Sequence, residues 1–192
     1  NNKKNKFIKK NKKNEKKQYK VIKLDRNTGK GEALRQGVLK SNYKWILTLD
    51  IDISVSLMQL VSWFKKKQII NNKIIYFGSR NIKDSKVYFK IHRKIIGFFF
   101  RTIIKLLFFI DLRDTQCGYK LYYQKIAKKI FSKLKEKGFI HDVEIALLAK
   151  KHNLKIIELP VVWKHKENGK INVLLDSAKM LFSLIILRFK FN

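Results

Sequence analysis

The spacing of apolar residues along this chain changes between a period near two and a period near three and a half. "YKVIKL" (19–24) alternates weakly and predicts a strand. "GKGEALRQGVLKS" (29–41) brings Ala33, Leu34, Val38 and Leu39 near one face of a helix. "KWILTL" (44–49) is apolar with little alternation, the pattern of a strand covered on both faces. "SLMQLVSWFKKK" (56–67) predicts a helix, and "KIIYFGSR" (73–80) a strand ending around Gly78. Strand–helix–strand–helix–strand predicts a parallel sheet with right-handed crossovers.

The second half is greasier. Residues 86–110 predict one long helix on which Lys90, Lys94, Arg101 and Lys105 form a narrow basic stripe. "QCGYKLYY" (116–123) is strand-like, "QKIAKKIFSKL" and "DVEIALLAKKHN" are helical, and "LKIIELPVVW" (154–163) is a strand with Pro160 near an edge or bend. Residues 171–192 predict a final amphipathic helix whose polar stripe is Asn172, Asp176, Lys179 and Ser183. Residues 1–18 are nearly all Lys and Asn, and read as a solvated helix or an arm. The expected organisation is therefore an arm (1–18), one α/β domain (19–170) and a C-terminal amphipathic helix (171–192), with no internal repeat.

Composition alters this picture little. A single Cys, Cys117, excludes an internal disulfide and a thiolate metal site. The 45 Lys and Arg against 14 Asp and Glu give a net charge of +31, which favours an anionic partner. Lys, Asn, Ile, Phe and Tyr are all abundant, as an AT-rich genome produces, so the charge alone narrows the field little. The longest apolar segments, "IIGFFFRTIIKLLFFI" and "MLFSLIIL", are interrupted or shorter than the roughly 20 residues of a spanning helix.

In so basic a chain, "LTLDIDIS" places Asp50 and Asp52 just past the carboxyl end of a buried strand. Open α/β sheets bind ligands at that edge. Two carboxylates there suit a hard divalent cation, since Mg²⁺ is commonly held by one or two carboxylates with substrate phosphates and waters. The plain alternative is a surface turn with capping aspartates before the helix at Ser56.

The ordered set "NTGKGEALRQG", "ILTLDIDIS", "GSR", "DTQCGYKLY", "FIHDVEIALLAKK" and "ELPVVWKHKENGKI" resembles the family 2 glycosyltransferases of the GT-A fold. It looks most like the branch that transfers a sugar from a nucleotide donor to a polyprenyl phosphate of the dolichyl type. The resemblance spans roughly residues 19–180. It implies a GT-A-like, mostly parallel sheet flanked by helices. It also implies that Asp50 and Asp52 hold Mg²⁺ or Mn²⁺ against the donor diphosphate, with Asp52 counted as catalytic. Ser54 stands where some relatives carry a longer polar side chain. Gly29, Lys30 and Gly31 match a donor-binding loop, while Asp114 and Gln116 match the donor-sugar pocket. Arg80, Arg93 and Lys170 match acceptor-phosphate contacts, for which the Arg fork is suited. Asp142, with Glu144, matches an acidic element that serves as base in relatives acting on hydroxyls. A phosphate acceptor is already ionised, so here Asp142 is expected to position groups.

The family opens with a strand and acidic loop that bind the nucleotide base. Nothing before Tyr19 resembles them, so the first strand is expected to be missing and the donor site to be partial. His141, His152 and His165 read as surface or cap residues, and Cys117 as a small packed one. The resemblance implies a nucleotide sugar, UDP-glucose favoured, a polyprenyl phosphate lipid, and inversion at the sugar. It also implies attachment to the cytosolic face of a membrane: the endoplasmic reticulum in a eukaryote, the inner membrane in a bacterium. The two greasy helices fit an interfacial site. The rivals are a family 2 enzyme with a saccharide hydroxyl acceptor and Asp142 as base, and a basic nucleic-acid-binding module. Nucleic acid is the weaker of these, because the aromatics cluster in greasy helices instead of alternating with cations.

Overall fold

The structure, a computed structural model, describes residues 19–88, 91–164 and 173–191, and the side chains of these except 91–95 and 173–177. The expected N-terminal arm (1–18) and Lys170 lie outside the described residues. In chain order the elements are α1 (Lys30–Lys40), β1 (Trp45–Thr48), α2 (Met58–Lys65), β2 (Ile74–Ser79), β3 (Lys86–Tyr88) and α3 (Ile91–Phe108). They continue with β4 (Lys120–Tyr123), α4 (Gln124–Lys133), α5 (His141–Lys151), β5 (Lys155–Pro160), β6 (Val162–Lys164) and α6 (Val173–Lys190).

The main sheet runs β1–β4–β2–β5. β2 pairs parallel with β5, Ile74 opposite Lys155 through Ser79 opposite Pro160. β4 pairs antiparallel with both β1 and β2. β1, β2 and β5 thus run one way with β4 reversed among them, so the α/β sheet is mixed where the order of elements predicted parallel pairing throughout. Helices cover both faces. Ile75 and Phe77 of β2 and Tyr122 of β4 pack against Val38, Ala127, Ile130 and Leu148 from α1, α4 and α5. On the other face Ile74 and Tyr76 pack with Leu121 and Trp63 of α2. All six residues of β2 are buried, which explains its unbroken apolar run. A third core joins Phe100, Ile104 and Phe108 of α3 to Val143 and Leu147 of α5 and Leu184 and Leu187 of α6.

Three expectations change. Residues 19–24 form no strand; the segment is mostly exposed and pairs with no other strand among the described residues. Weak alternation does not hold a strand without a ladder partner. The helix expected over 86–110 begins at Ile91, because Lys86–Tyr88 pair instead with Val162–Lys164 as a small parallel sheet. The strand expected over 154–163 is split at Val161, where the chain leaves β5 and enters β6.

Candidate active site

One end of the main sheet gathers the polar residues. The carboxyl ends of β1, β2 and β5 meet there with the amino end of β4, since Thr48 pairs with Lys120. This edge receives Asp50 after β1, Arg80 after β2, Asp114 and Gly118 ahead of β4, and Trp163 beyond β5. The starts of α1 and α5 bring Lys30 and Asp142.

The acidic loop is tightly built. Asp52 accepts bonds from Ser54 N–H at 2.9 Å and Ser54 Oγ–H at 2.7 Å, so Ser54 orients the carboxylate. Ile53 N–H donates to Asp50 O at 3.0 Å, and Ile53 sits at φ 52°, left-handed backbone that a β-branched residue rarely adopts. The Asp50 carboxylate lies against Gly118: a Cβ there would come within 2.5–2.6 Å of all three carboxyl atoms. Asp50, Ser54, Val55, Cys117, Tyr119 and Trp163 line a small pocket. Cys117 is packed as expected, its thiol pushed up to about 11 by burial and by Asp114.

Lys30 Nζ donates to Asp50 Oδ1 at 2.6 Å. Burial pulls the ammonium's pKa down, but Asp142 and Asp50 raise it above the ordinary value. The flanking glycines pack against the chain's own backbone. Gly31 N–H donates to Lys137 O at 2.8 Å, and any Cβ on Gly29 or Gly31 would strike the Glu136–Lys137 backbone. Gly29 also holds φ 98°. The close backbone approach that these glycines allow is to the 136–138 turn, and the Gly31 amide is committed there; Lys30 alone of the three reaches the acidic loop. Glu144 secures that turn from α5 by accepting the amides of Lys135 and Glu136.

Arg80 and Asp114, expected on different substrates, are paired. Arg80 Nε and Nη2 donate to Asp114 Oδ2 and Oδ1 at 2.7 and 2.9 Å, and Arg80 N–H adds a third bond at 2.9 Å. Gln116 N–H donates to Asp114 Oδ1 at 3.2 Å. Despite burial, Arg80 holds the Asp114 carboxyl below the usual range. Asp114, matched above to the donor-sugar pocket, is buried here with both carboxylate oxygens engaged by Arg80 and the Gln116 amide. Glu158 extends the chain by accepting the amides of Arg113 and Asp114, both at 2.8 Å. The Arg80 guanidinium lies 5.9 Å from the Trp163 ring centroid.

Asp142 is also buried. Its Oδ1 accepts from Lys120 Nζ at 2.6 Å, and Lys120 Nζ also reaches Cys117 O and lies over the Phe77 ring. Burial raises the Asp142 pKa, but Lys120, His141 and Lys30 bring it below the ordinary carboxylate value. A carboxylate so held is a poor general base. His141, expected at the surface or at a helix cap, opens α5 but is fully buried, with Nδ1 2.8 Å from Gly138 O and Nε2 3.3 Å from Asp142. His152 sits at the C-cap of α5 as expected, while His165, Lys170 and the Arg93 side chain lie outside the described residues.

Glu158, Lys120 and His141 escaped the sequence reading. Glu158 sat in an ordinary strand pattern. Lys120 had one signal, a charged residue in the otherwise apolar strand "KLYY".

The donor set fits a divalent cation. Asp50 and Asp52 supply hard carboxylate oxygens on a partly exposed loop, oriented by Gly118 and Ser54. Among the described residues no three His, Cys, Asp or Glu side chains form a metal cluster. Two carboxylates that rely on substrate phosphate for the remaining positions match Mg²⁺ or Mn²⁺ usage.

Comparison with known proteins bears on this arrangement. The model of "Glycosyl transferase family 2" matches residues 5–131. The chain belongs to this family. It is 31% identical over 183 residues to dolichyl-phosphate beta-glucosyltransferase of Saccharomyces cerevisiae, covering 89% of this chain and 55% of that protein. The Dictyostelium discoideum enzyme of the same name is 32% identical over 180 residues, 89% of this chain and 54% of that one. The human one is 29% identical over 177 residues, 89% and 55%. This family 2 chain thus spans about half the length of these relatives. Among solved structures, Mycobacterium tuberculosis glucosyl-3-phosphoglycerate synthase, in complex with Mn²⁺, UDP and glucosyl-3-phosphoglycerate, matches with a TM-score of 0.56 at 12% identity over 83% of this chain and 55% of that one. That likeness establishes the glycosyltransferase fold.

Proposed function

We propose that this chain carries the catalytic centre of a glucosyltransferase that moves glucose from UDP-glucose to a polyprenyl phosphate of the dolichyl type, with inversion at the anomeric carbon. The observation that carries the reading is the meeting of Asp50, Asp52, Lys30 and an oriented Arg80 at one sheet edge. The dolichyl-phosphate names of the relatives support the acceptor, and the Mn²⁺ and UDP of the structural neighbour support the donor side.

In the reaction an acceptor phosphate oxygen attacks the sugar C1 while the C1–O bond to the diphosphate breaks and its electron pair leaves with UDP. Asp50 and Asp52 would hold a divalent cation, which would supply positive charge for the leaving diphosphate. Lys30 adds a second positive charge on the donor side, and Gln116 borders the sugar. Arg80, with two guanidinium nitrogens fixed on Asp114, presents its remaining edge to the acceptor phosphate; Arg93 and Lys170 are the further candidates for that contact. No proton need be removed from an ionised phosphate, which agrees with an Asp142 tied to Lys120. A saccharide hydroxyl acceptor would require a free base there.

The lipid acceptor places the enzyme at a membrane surface, on the cytosolic face, where nucleotide sugars are made. No helix among the described residues is long and apolar enough to cross a membrane. Yet Phe98, Phe99, Leu106 and Phe109 of α3 and its end, and Phe182 and Phe189 of α6, are exposed, beside cationic Lys105 and Arg101. Such a face suits an interface rich in anionic lipid.

The test follows transfer of labelled glucose from UDP-glucose to dolichyl phosphate, in parallel with flotation on anionic and neutral vesicles. Asp52→Asn should abolish transfer and weaken Mn²⁺-dependent UDP binding while the circular dichroism spectrum is kept. Transfer at the parent rate by this variant would refute the metal assignment. Transfer to a saccharide but not to the lipid would refute the acceptor.

A further inference from the structure

Asp50 has two claimants. As a metal ligand, the reading on which this inference rests, it must offer an oxygen to a divalent cation. In the structure Oδ1 already receives an ammonium at 2.6 Å from Lys30. The contact is not one of Asp50's own loop: Lys30 lies 20 residues earlier, at the first position of α1. Its backbone is locked, because Gly29 and Gly31 are wedged against the Glu136–Lys137 backbone and that turn is held by Glu144. Its side chain is a flexible four-carbon stem, 29% exposed. A fixed base carrying a movable cation is the construction of a latch.

The two carboxylates are treated differently. Asp52 is held by the neutral N–H and O–H donors of Ser54, which orient it, and among the described residues it has no ion pair. Asp50 is charge-paired. A divalent ion approaching both must meet the Lys30 ammonium, and like charges at such distances repel. A diphosphate reverses the balance, since it offers Lys30 a stronger anionic partner and offers the ion further hard oxygen ligands.

We propose that Lys30 gates the metal site: it occupies Asp50 until a nucleoside diphosphate arrives, then transfers its ammonium to the phosphate and releases Asp50 to the cation. Metal and nucleotide therefore bind with positive coupling, and metal alone binds weakly. No bond is made or broken in the exchange; the Lys30–Asp50 ion pair is replaced by Lys30–phosphate and metal–Asp50 pairs. Coupling is reciprocal, so the nucleotide must tighten the metal by the same factor as the metal tightens the nucleotide.

The experiment measures Mn²⁺ affinity by the loss of the free-ion electron paramagnetic resonance signal, with and without UDP, in the parent and in Lys30→Met, Lys30→Arg and Asp50→Asn. The parent should bind Mn²⁺ weakly alone and far more tightly with UDP. Lys30→Met keeps the stem and removes the charge. It should bind Mn²⁺ alone about tenfold more tightly and lose a similar factor of the UDP enhancement, within the usual range of coupling. Lys30→Arg keeps a cation and should behave like the parent. Equal Mn²⁺ affinity in parent and Lys30→Met, with Asp50→Asn impaired, overturns the gate and leaves the metal site standing. Unchanged Mn²⁺ and UDP binding by Asp50→Asn overturns the metal assignment, and the gate with it.

Discussion

Replacing Lys120 by Met tests how the floor of the site is held. Lys120 is 1% exposed, and its ammonium touches Asp142 Oδ1 at 2.6 Å, Cys117 O and the Phe77 ring. Met keeps most of the stem and removes the charge. Asp142, 3% exposed, would keep a neutral imidazole whose Nε2 is 3.3 Å away, and Lys30 as its remaining cation. Breaking a buried pair from one side costs about 3–5 kcal/mol, because the surviving charge is left uncompensated. Against the roughly 5–15 kcal/mol that holds a typical domain, that is a large share. Adding Asp142→Asn removes the stranded charge, so the double variant should be more stable than the sum of the single losses implies, by up to about 3 kcal/mol. The pH response adds a second readout. The Asp142 pKa is lowered in the fold, so the pair contributes stability above the ordinary carboxylate value that is lost as pH falls through the folded one. In Lys120→Met that acid-linked loss should shrink. Urea unfolding of the parent, both single variants and the double variant at pH 7 and at about pH 3, below the ordinary carboxylate value, gives all of these quantities. A Lys120→Met loss under about 1 kcal/mol, or strict additivity in the double variant, would refute the argument.

Three further outcomes are expected. Glu158→Gln places an amide against the Asp114 N–H, loosens Arg80 two steps away, and should raise KM for polyprenyl phosphate about tenfold, as loss of one bond to a charged group does; an equal rise in KM for UDP-glucose would contradict it. Gly118→Ala pushes a methyl into the Asp50 carboxylate and should cut Mn²⁺-dependent UDP binding at least about tenfold with a stability loss near 1 kcal/mol; intact binding would show that the carboxylate does not need that seat. Burial holds the His141 pKa below its ordinary value, so below about pH 6.5 the unfolded chain takes up a proton that the folded chain resists, and stability falls as pH drops, by at most about 1.4 kcal/mol per pH unit. His141→Phe should flatten the slope between pH 7 and pH 5, and an unchanged slope would assign it to other groups.

The sequence by itself determined most of the helices and strands and the position of the acidic loop, but not the unpaired segment 19–24, the start of α3 or the break between β5 and β6. The apolar run "KIIYFGSR" has the pattern of a strand covered on both faces, as β2 is, and Asp50 and Asp52 fall just past the carboxyl end of "KWILTL" whatever the topology, although β1 lies at the sheet edge with alternating burial. The greasy character of α3 was likewise legible, and Phe98, Phe99 and Phe109 are the part of its wide apolar arc left exposed. Partnership was decided only by the tertiary structure. A reversed β4 between β1 and β2 puts Lys120 beneath the site, and a charged residue in a short strand does not announce which buried carboxylate it will meet. Arg80 and Asp114 are 34 residues apart, and Glu158 lies a further 44 from Asp114; their union follows from parallel pairing of β2 with β5, which no local period encodes. The glycines around Lys30 show the same limit. Their match to a donor-binding loop gave no sign of a structural partner, and only the packing of α1 on the turn before α5 revealed that both glycines lie against the chain's own backbone.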